Sequence, residues 1–240
     1  MSAAEVVKAD YRAAEVFDGY GIKYCCGVKL PLAMVCDLQQ VAKEELFDKL
    51  SIATRRIEIS PMLDFQSWGT TFLTEYISNV HHSYAKKIML TLTPAFELFV
   101  TEHLRQYPVY EEALFVFKSL SKHLVEHIHL EESITFPYIS QLENAYLRQD
   151  RVSVLLVKTL RKPIPAGNHL RRDEIAALLG KIKLLTNKYT APAAACTSHN
   201  VLLSRLREFD QDLEQHTYLE DQVLFPRAIS MEKELLALSV

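Results

Sequence analysis

Two stretches of the chain carry the same arrangement of a histidine and a carboxylate. The first begins at His127 and the second at His216, and both follow the pattern His-x-x-x-Glu-acid-x-x-x-Phe-Pro. Glu131 and Glu220 therefore stand four residues after the two histidines. Because residues four apart lie on one face of an α-helix, each stretch presents an imidazole beside a carboxylate.

The repeat predicts a metal site. A single His-x-x-x-Glu pair on a helix is most often a surface pair contributing a few tenths of a kcal/mol. Here apolar residues such as Leu124 and Leu213 flank both pairs at helical spacing, so the pairs face inward, where an unpaired carboxylate is costly. Two such helices facing each other would direct two histidines and two glutamates at one point, as carboxylate-bridged di-metal sites do. Imidazole plus carboxylate suits iron, manganese or zinc, and these faces lack the cysteines of a thiolate zinc site.

The elements that must position these pairs are four long helices, predicted from apolar residues that repeat every three or four positions. The first starts at Thr70 or Thr71 and has a kink at Pro94, and the second runs from about 109 to 142 with Pro137 as a kink or end. The third runs from about 168 to 189, and the fourth from near 197 past Pro226 toward 236. Residues 152–157 fit a helix or a strand. Short connections between the long helices predict a four-helix bundle.

The first 58 residues differ in character and predict a separate small helical domain. Short helices are expected over 11–20, after Pro31 and over 41–56, with an adjacent pair of cysteines, Cys25 and Cys26, between the first two. A cluster this small needs a surface to bury against, either the main body or a second chain in a homodimer. Residues 57–69 are predicted to be a linker, so the expected domains are 1–58 and 70–240.

Composition narrows the class of protein. Of 240 residues 49% are hydrophobic and only 6 are glycine, which favours a large helical core. The net charge of −3 gives no electrostatic case for binding nucleic acid or an anionic membrane. No apolar run reaches the roughly 18 to 20 residues that span a bilayer, and the N-terminus lacks the apolar segment of a signal peptide. We therefore expect a cytoplasmic all-α protein.

Several stretches are similar to one known family. Residues 17–27, which contain Tyr20-Gly21-Ile22-x-Tyr24-Cys25-Cys26-Gly27, look like that family's N-terminal domain. Its hemerythrin-like domain is matched by His81-His82-x-Tyr84, by both repeated units and by Ala195-Cys196-Thr197. On these motifs, over nearly its whole length, the chain resembles the iron-sulfur cluster repair di-iron proteins.

The resemblance implies a fold, a cofactor and a function. The fold would be a hemerythrin-like four-helix bundle preceded by a small helical N-terminal domain, and the cofactor a non-haem di-iron centre held by four histidines and two bridging glutamates. The function would be repair of iron-sulfur clusters damaged by nitric oxide or oxidative stress, with iron donation as one route. The clients would be iron-sulfur cluster proteins, and nitric oxide or oxygen the small ligand. The ligands that carry over by motif are His82, His127, Glu131, His216 and Glu220.

The third long helix departs from the family pattern. Counting back from Ala195-Cys196 without gaps puts Arg172 where the family has a ligand histidine. A guanidinium is always protonated and does not ligate metal. His169, three residues earlier and on a similar face, is predicted as the replacement ligand. Otherwise one iron is under-coordinated, the site holds a single metal, or Arg172 supplies positive charge where a metal once sat.

Other histidines and the cysteines leave alternatives open. Helical phase alone does not choose between His81 and His82, and His123 fits either a spare ligand or a supporting residue. We expect His103, His129 and His199 to be solvated, and Cys36 and Cys196 to be buried and structural. A disulfide between the neighbours Cys25 and Cys26 would be strained. These two either pack at a helix–loop junction or perform redox chemistry, nitrosation or iron handover on an exposed loop.

Two further functions stay open at the sequence level. One is a hemerythrin-like protein that binds or senses oxygen or nitric oxide and signals through the Cys25-Cys26 domain. The other is a degenerate paralogue whose altered third helix has changed the metal site and left an interaction module. Iron release to a client would favour repair, and reversible ligand binding without iron loss would favour the sensor.

Overall fold

A computed structural model describes residues 1–25, 30–55, 63–161, 164 and 169–238, except for the side chains of 169–171. All regular elements within these ranges are helices, so the predicted all-α fold is confirmed. In this described part, every helix is too short or too polar to traverse a lipid bilayer.

Twelve α-helices and four tighter or wider turns follow one another along the described ranges. The N-terminal part contains α1 (Ala3–Ala9), α2 (Ala13–Gly19), α3 (Leu32–Gln39), α4 (Lys43–Thr54) and a 3-10 turn (Phe65–Ser67). The later part contains α5 (Thr70–Tyr76), α6 (Ser83–His103), α7 (Val109–Leu130), α8 (Phe136–Arg148), α9 (Arg151–Leu160), α10 (His169–Leu185), α11 (Thr197–Tyr218) and α12 (Phe225–Ala237).

Three wide π-helical turns join α-helices into longer ones. They cover Ile77–His82 between α5 and α6, Glu131–Thr135 between α7 and α8, and Leu219–Leu224 between α11 and α12. The first, second and fourth long helices are therefore α5–α6, α7–α8 and α11–α12, and the third is α10. Single π-helical turns inside α-helices often occur at functional sites.

The three prolines within the long helices do not end them. Pro94 lies inside α6, and Pro137 and Pro226 lie in the first turns of α8 and α12. Near a helix start the missing N–H of proline costs little. Residues 152–157, which fit either a helix or a strand, belong to α9. The first helix, α1, was not predicted, although Ser2 and Glu5 form the capping box that marks its start.

The chain divides into two compact units. The first consists of Met1–Pro61, Thr91–Glu112 and Lys183–Glu208, and the second of Met62–Leu90, Ala113–Ile182 and Phe209–Val240. Within the first unit the N-terminal helices share one core with Val201 of α11, around Phe17, Ile22 and Leu46. The predicted domain limits, 1–58 and 70–240, stay a prediction, and residues 57–62 of the predicted linker lie outside the described residues.

In the second unit, a carboxylate from α8 holds the start of the first long helix. Glu143 accepts hydrogen bonds from the backbone N–H groups of Thr70 and Thr71, both at 2.8 Å. A Cβ on Gly69 would lie 3.0 Å from Glu143 Oε1, so glycine permits this approach. Burial acts to raise the pKa of Glu143, but the hydrogen bonds from Thr71 and Thr70 together outweigh it and hold that pKa below its usual value.

Glu143→Gln is expected to lower the free energy of unfolding by about 1–2 kcal/mol at neutral pH, the usual range for losing a helix cap and a charge at a helix N-terminus. A carboxyl whose folded pKa is depressed stabilises fully above its unfolded pKa and loses this contribution as pH falls through the folded value. The difference between wild type and variant should therefore shrink in acid. Urea unfolding across a pH series measures it, with the exposed Glu102→Gln as the control. A difference that stays constant down to pH values where carboxyls protonate would contradict this account.

Candidate metal centre

The long helices bring five of the predicted ligand residues to one buried place in the second unit. His82 ends the π-helical turn after α5, and His127 and His216 lie in the last turns of α7 and α11. Glu131 and Glu220 lie in the π-helical turns that follow those two helices. All five residues are buried, and the two glutamates are at most 1% exposed.

Four of these residues form a compact set of metal-type donors. One donor atom from each of His82, Glu131, His216 and Glu220 lies within 4.8 Å of the other three. His216 Nε2 is 2.9 Å from Glu220 Oε1. His82 Nε2 is 3.2 Å from His216 Nε2 and 3.4 Å from Glu131 Oε2. Two imidazole nitrogens and two carboxylates converging on one point is the donor set that suits iron, manganese or zinc.

His127 contacts the same two carboxylates. Its Nε2 is 3.2 Å from Glu131 Oε2 and 3.9 Å from Glu220 Oε2. Its other ring nitrogen, Nδ1, is buried and has no hydrogen-bond partner among the described residues. His127 is therefore a further donor beside the set of four.

Arg172 of the third long helix also points into this cluster. Its Nη2 lies 3.4 Å from Glu220 Oε2 and 3.6 Å from Glu131 Oε1. Its Nη1 donates a hydrogen bond to Asp221 Oδ1, and the guanidinium carbon lies 4.6 Å from the centre of the Phe225 ring. The side chain is only 11% exposed. The sequence indicated that this residue could not be a ligand, and left open whether it supplies positive charge in place of a metal.

The electrostatics of the cluster favour a bound cation. Burial lowers the pKa of His82 and of His127 to about 4, so both imidazoles are neutral at neutral pH and keep a free lone pair. Burial, followed by the charge of Glu220, raises the pKa of Glu131 well above its usual value. Neither Glu131 oxygen has a hydrogen-bond partner in the described part of the chain. A buried carboxylate in that condition is costly, and a metal ion would remove the cost, so the residues fit one.

The remaining positions of the two repeated motifs support this cluster in parallel ways. The acidic residue after each ligand glutamate binds a group that faces the centre: Glu132 Oε1 is 3.1 Å from His82 Nδ1, and Asp221 binds Arg172. The phenylalanine of each motif packs on the same group, since Phe136 stacks on His82 at 5.5 Å and Phe225 lies against Arg172. Lys86 binds Glu132 in turn at 2.7 Å. Such contacts fix the ring orientation and leave His82 Nε2 directed at the cluster.

The other candidate histidines in the described part of the chain are not in the set of four donors. His81 is buried and pairs with Asp212 at 2.9 Å, with its ring 6.0 Å from that of His216, so the geometry favours His82 as the donor. His123 pairs with Glu174 at 3.1 Å, and His129 is exposed as predicted. The backbone of His169 begins α10, but its side chain lies outside the described residues, so its role as a ligand stays a prediction.

Two expectations about histidines and one about cysteines are wrong. His199 is fully buried and lies 2.6 Å from the hydroxyl of Tyr110, and His103 is half-buried, so neither is simply solvated. Cys36 is buried as predicted, but Cys196 is only half-buried, with its Sγ 3.4 Å from His103 Nε2. The reason is tertiary: His199 of α11 lies against Tyr110, and Cys196, just before α11, lies against His103, contacts that helical spacing does not reveal.

The adjacent cysteines are described only in part. Cys25 is half-buried, and its thiol lies within hydrogen-bonding reach of the Cys196 thiol. Burial, the largest effect, raises the pKa of Cys196. Cys26 lies outside the described residues, so the chemistry predicted for the Cys25-Cys26 pair stays a prediction.

The fold and the cluster together define a class: all-helical proteins that offer histidines and glutamates from several helices to a metal ion. Residues 1–54 match the ScdA_N family, described as a domain of unknown function (DUF542). The iron-sulfur cluster repair protein YtfE of Citrobacter koseri is 30% identical over 229 residues, covering 92% of this chain and 93% of the relative. The protein of the same name from Escherichia coli gives the same figures, and that from Edwardsiella ictaluri is 28% identical over 222 residues. The chain belongs to the family of iron-sulfur cluster repair protein YtfE.

Proposed function

We propose that this chain repairs iron-sulfur clusters damaged by nitric oxide or oxidative stress, and that it holds non-haem iron between its long helices. The observation that carries the proposal is the buried set of donors formed by His82, Glu131, His216 and Glu220. The names of relatives that match 92% of the chain support the reaction. The clients would be iron-sulfur cluster proteins, and nitric oxide or oxygen the small ligand.

The proposed ligands are His82, His127, Glu131, His216 and Glu220. Bound iron would supply redox chemistry and a position for a diatomic ligand. With His82 protonated at Nδ1, Glu132 accepts a hydrogen bond from that N–H group, which leaves Nε2 free for the metal. The aliphatic and aromatic core around Ile77, Phe136 and Val223 keeps water away from the site.

The di-iron form that the resemblance implies needs one more protein ligand, and His169 is the only histidine of the third long helix. A repair role does not itself require two irons, because a protein that donates one iron ion to a damaged cluster needs to hold only one ion that it can release. The number of irons and the repair function are therefore separate questions.

The repair function is tested with the iron-loaded protein and an iron-sulfur dehydratase whose cluster has been damaged by nitric oxide. The wild type is expected to restore the activity of the dehydratase under anaerobic conditions. His216→Ala, which removes a proposed ligand, should reduce the rate at least about tenfold, since even supporting residues of metal sites affect binding by 10–100-fold. His199→Ala is the matched control, because His199 is equally buried but pairs with Tyr110 in the first unit, away from the proposed ligands.

Two results would count against repair by iron held in this cluster. One is a His216→Ala protein that restores the dehydratase at the wild-type rate. The other is a wild-type protein that binds nitric oxide reversibly, keeps its iron and leaves the client unrepaired, which would favour the binding or sensing function instead.

A further inference from the structure

We propose that this centre binds one metal ion and that the guanidinium of Arg172 takes the place of a second. The inference rests on the proposed metal centre but not on the repair reaction. It gives the third long helix a definite role, where the sequence left open a replaced ligand, a single metal or a substitute charge.

In each of the two glutamates, one carboxylate oxygen lies near a histidine and the other lies near Arg172. Glu131 Oε2 is 3.4 Å from His82 Nε2, and Glu131 Oε1 is 3.6 Å from Arg172 Nη2. Glu220 Oε1 is 2.9 Å from His216 Nε2, and Glu220 Oε2 is 3.4 Å from Arg172 Nη2. A carboxylate that bridges two metals offers one oxygen to each of them. In this chain the second oxygen of both carboxylates faces the same guanidinium, that of Arg172, where a second metal would otherwise lie.

Contacts that involve no metal keep Arg172 in this place. Asp221 accepts a hydrogen bond from its Nη1, and the ring of Phe225 lies 4.6 Å from the guanidinium carbon. Its Nη2 and Nε are buried without hydrogen-bond partners among the described residues, so Nη2 remains free to donate to the carboxylates. Moving the guanidinium away would leave Asp221 without its partner and separate the cation from Phe225.

The chemistry of the guanidinium excludes a second metal at the same position. Arginine has no lone pair to offer and is not deprotonated in proteins. Two ionised glutamates and Asp221 carry three negative charges, and Arg172 offsets one of them. A single divalent ion then leaves the cluster neutral, whereas a second ion would add two positive charges beside a fixed cation in a buried site.

The donors that remain suffice for one ion. His82, His216, Glu131 and Glu220 supply two nitrogens and two oxygens within 4.8 Å of one another. His127, 3.2 Å from Glu131 Oε2, is the next donor available to the same ion. The competing arrangement has His169 completing a second site, which would require Arg172 to leave the carboxylates.

The test is the number of iron atoms per chain after anaerobic loading with excess ferrous iron and removal of unbound metal. The wild type is expected to hold one. Arg172→His should hold two, because it removes the cation and supplies a neutral imidazole at the same position. Arg172→Lys keeps the charge and should hold one, and Arg148→His, on an exposed position of α8, controls for a histidine added elsewhere. Mössbauer spectra of the oxidised samples should show isolated high-spin iron in the wild type and an exchange-coupled pair in Arg172→His.

The outcomes separate the two proposals. Two irons in the wild type would overturn the single-metal inference and leave the metal centre standing. No iron in the wild type would overturn the metal centre itself. A folded Arg172→His protein, judged by unchanged helical circular dichroism, that still holds one iron would show that the guanidinium is not what excludes the second. If that variant does not fold, the numbers of iron atoms bound per chain by the wild type and by Arg172→Lys still test the inference.

Discussion

Replacing Glu131 by glutamine should abolish metal binding and leave the metal-free protein at least as stable as the wild type. Glu131 is fully buried, and its oxygens have no hydrogen-bond partners within the described residues. A neutral amide of the same shape removes the cost of burying a carboxylate but gives up a metal ligand. At a metal concentration about 100 times Kd, bound metal stabilises the folded state by about 2.7 kcal/mol, and the variant should lose this whole increment.

Urea unfolding with and without ferrous iron measures both halves of this prediction. Glu111→Gln, at an exposed position in the first turn of α7, should keep the full stabilisation by metal. The account is contradicted if Glu131→Gln is stabilised by iron as strongly as the wild type. It is also contradicted if the metal-free variant is several kcal/mol less stable, because Glu131 would then be part of the packing rather than of a metal site.

Phe136→Ala should have the largest effect on stability and should also weaken metal binding. Phe136 is 4% exposed and belongs to the core of the second unit, where truncating a phenylalanine typically costs about 3–5 kcal/mol. Its ring also lies parallel to His82, with 5.5 Å between the ring centres and 7° between the planes. Without this support His82 would lose its fixed orientation, and metal affinity should fall by about 10–100-fold, as for other residues that orient ligands.

Two variants separate packing from ligand support. Phe115→Ala, on α7 with its side chain 74% exposed, should change stability by less than about 0.5 kcal/mol. Phe136→Leu keeps most of the apolar volume and should recover much of the stability but less of the metal affinity. Equal effects of Phe136→Ala and Phe115→Ala on stability would argue against the packing described here, and unchanged metal affinity in Phe136→Ala would argue against support of His82.

The sequence could predict that the two His/Glu pairs lie on buried helix faces, because this depends on local periodicity. Residues four apart share a helix face, and apolar neighbours such as Leu124 and Leu213 indicated that this face is buried. The structure adds that the acid and the phenylalanine of each motif serve the same centre. Glu132 and Phe136 contact His82, and Asp221 and Phe225 contact Arg172. Those contacts cross between helices, so spacing within one helix could not reveal them.

The π-helical turns explain why the first long helix was ambiguous. His81 and His82 lie inside such a turn, where the spacing of 3.6 residues per turn no longer describes which side chain faces inward. The same limit applies to Arg172. Its chemistry excluded a ligand role at the sequence level, but its reach to Glu131 and Glu220 depends on how α10 packs against the other helices.

The repulsion between Arg172 and a second metal ion is strong enough to affect how many ions the cluster binds. Two unit charges about 4 Å apart interact by about 4 kcal/mol at the effective dielectric constant that suits most protein sites. A divalent ion beside the guanidinium would meet about twice that repulsion. If the proposal of a single metal is right, this repulsion is what keeps a second ion out of the cluster.

The most direct test of the metal centre is anomalous diffraction at the iron edge from crystals of the iron-loaded protein. The account predicts one peak, enclosed by His82, Glu131, His216 and Glu220, with the Arg172 guanidinium beside it. Iron-loaded crystals with no peak among these residues, or with the peak elsewhere in the chain, would contradict it.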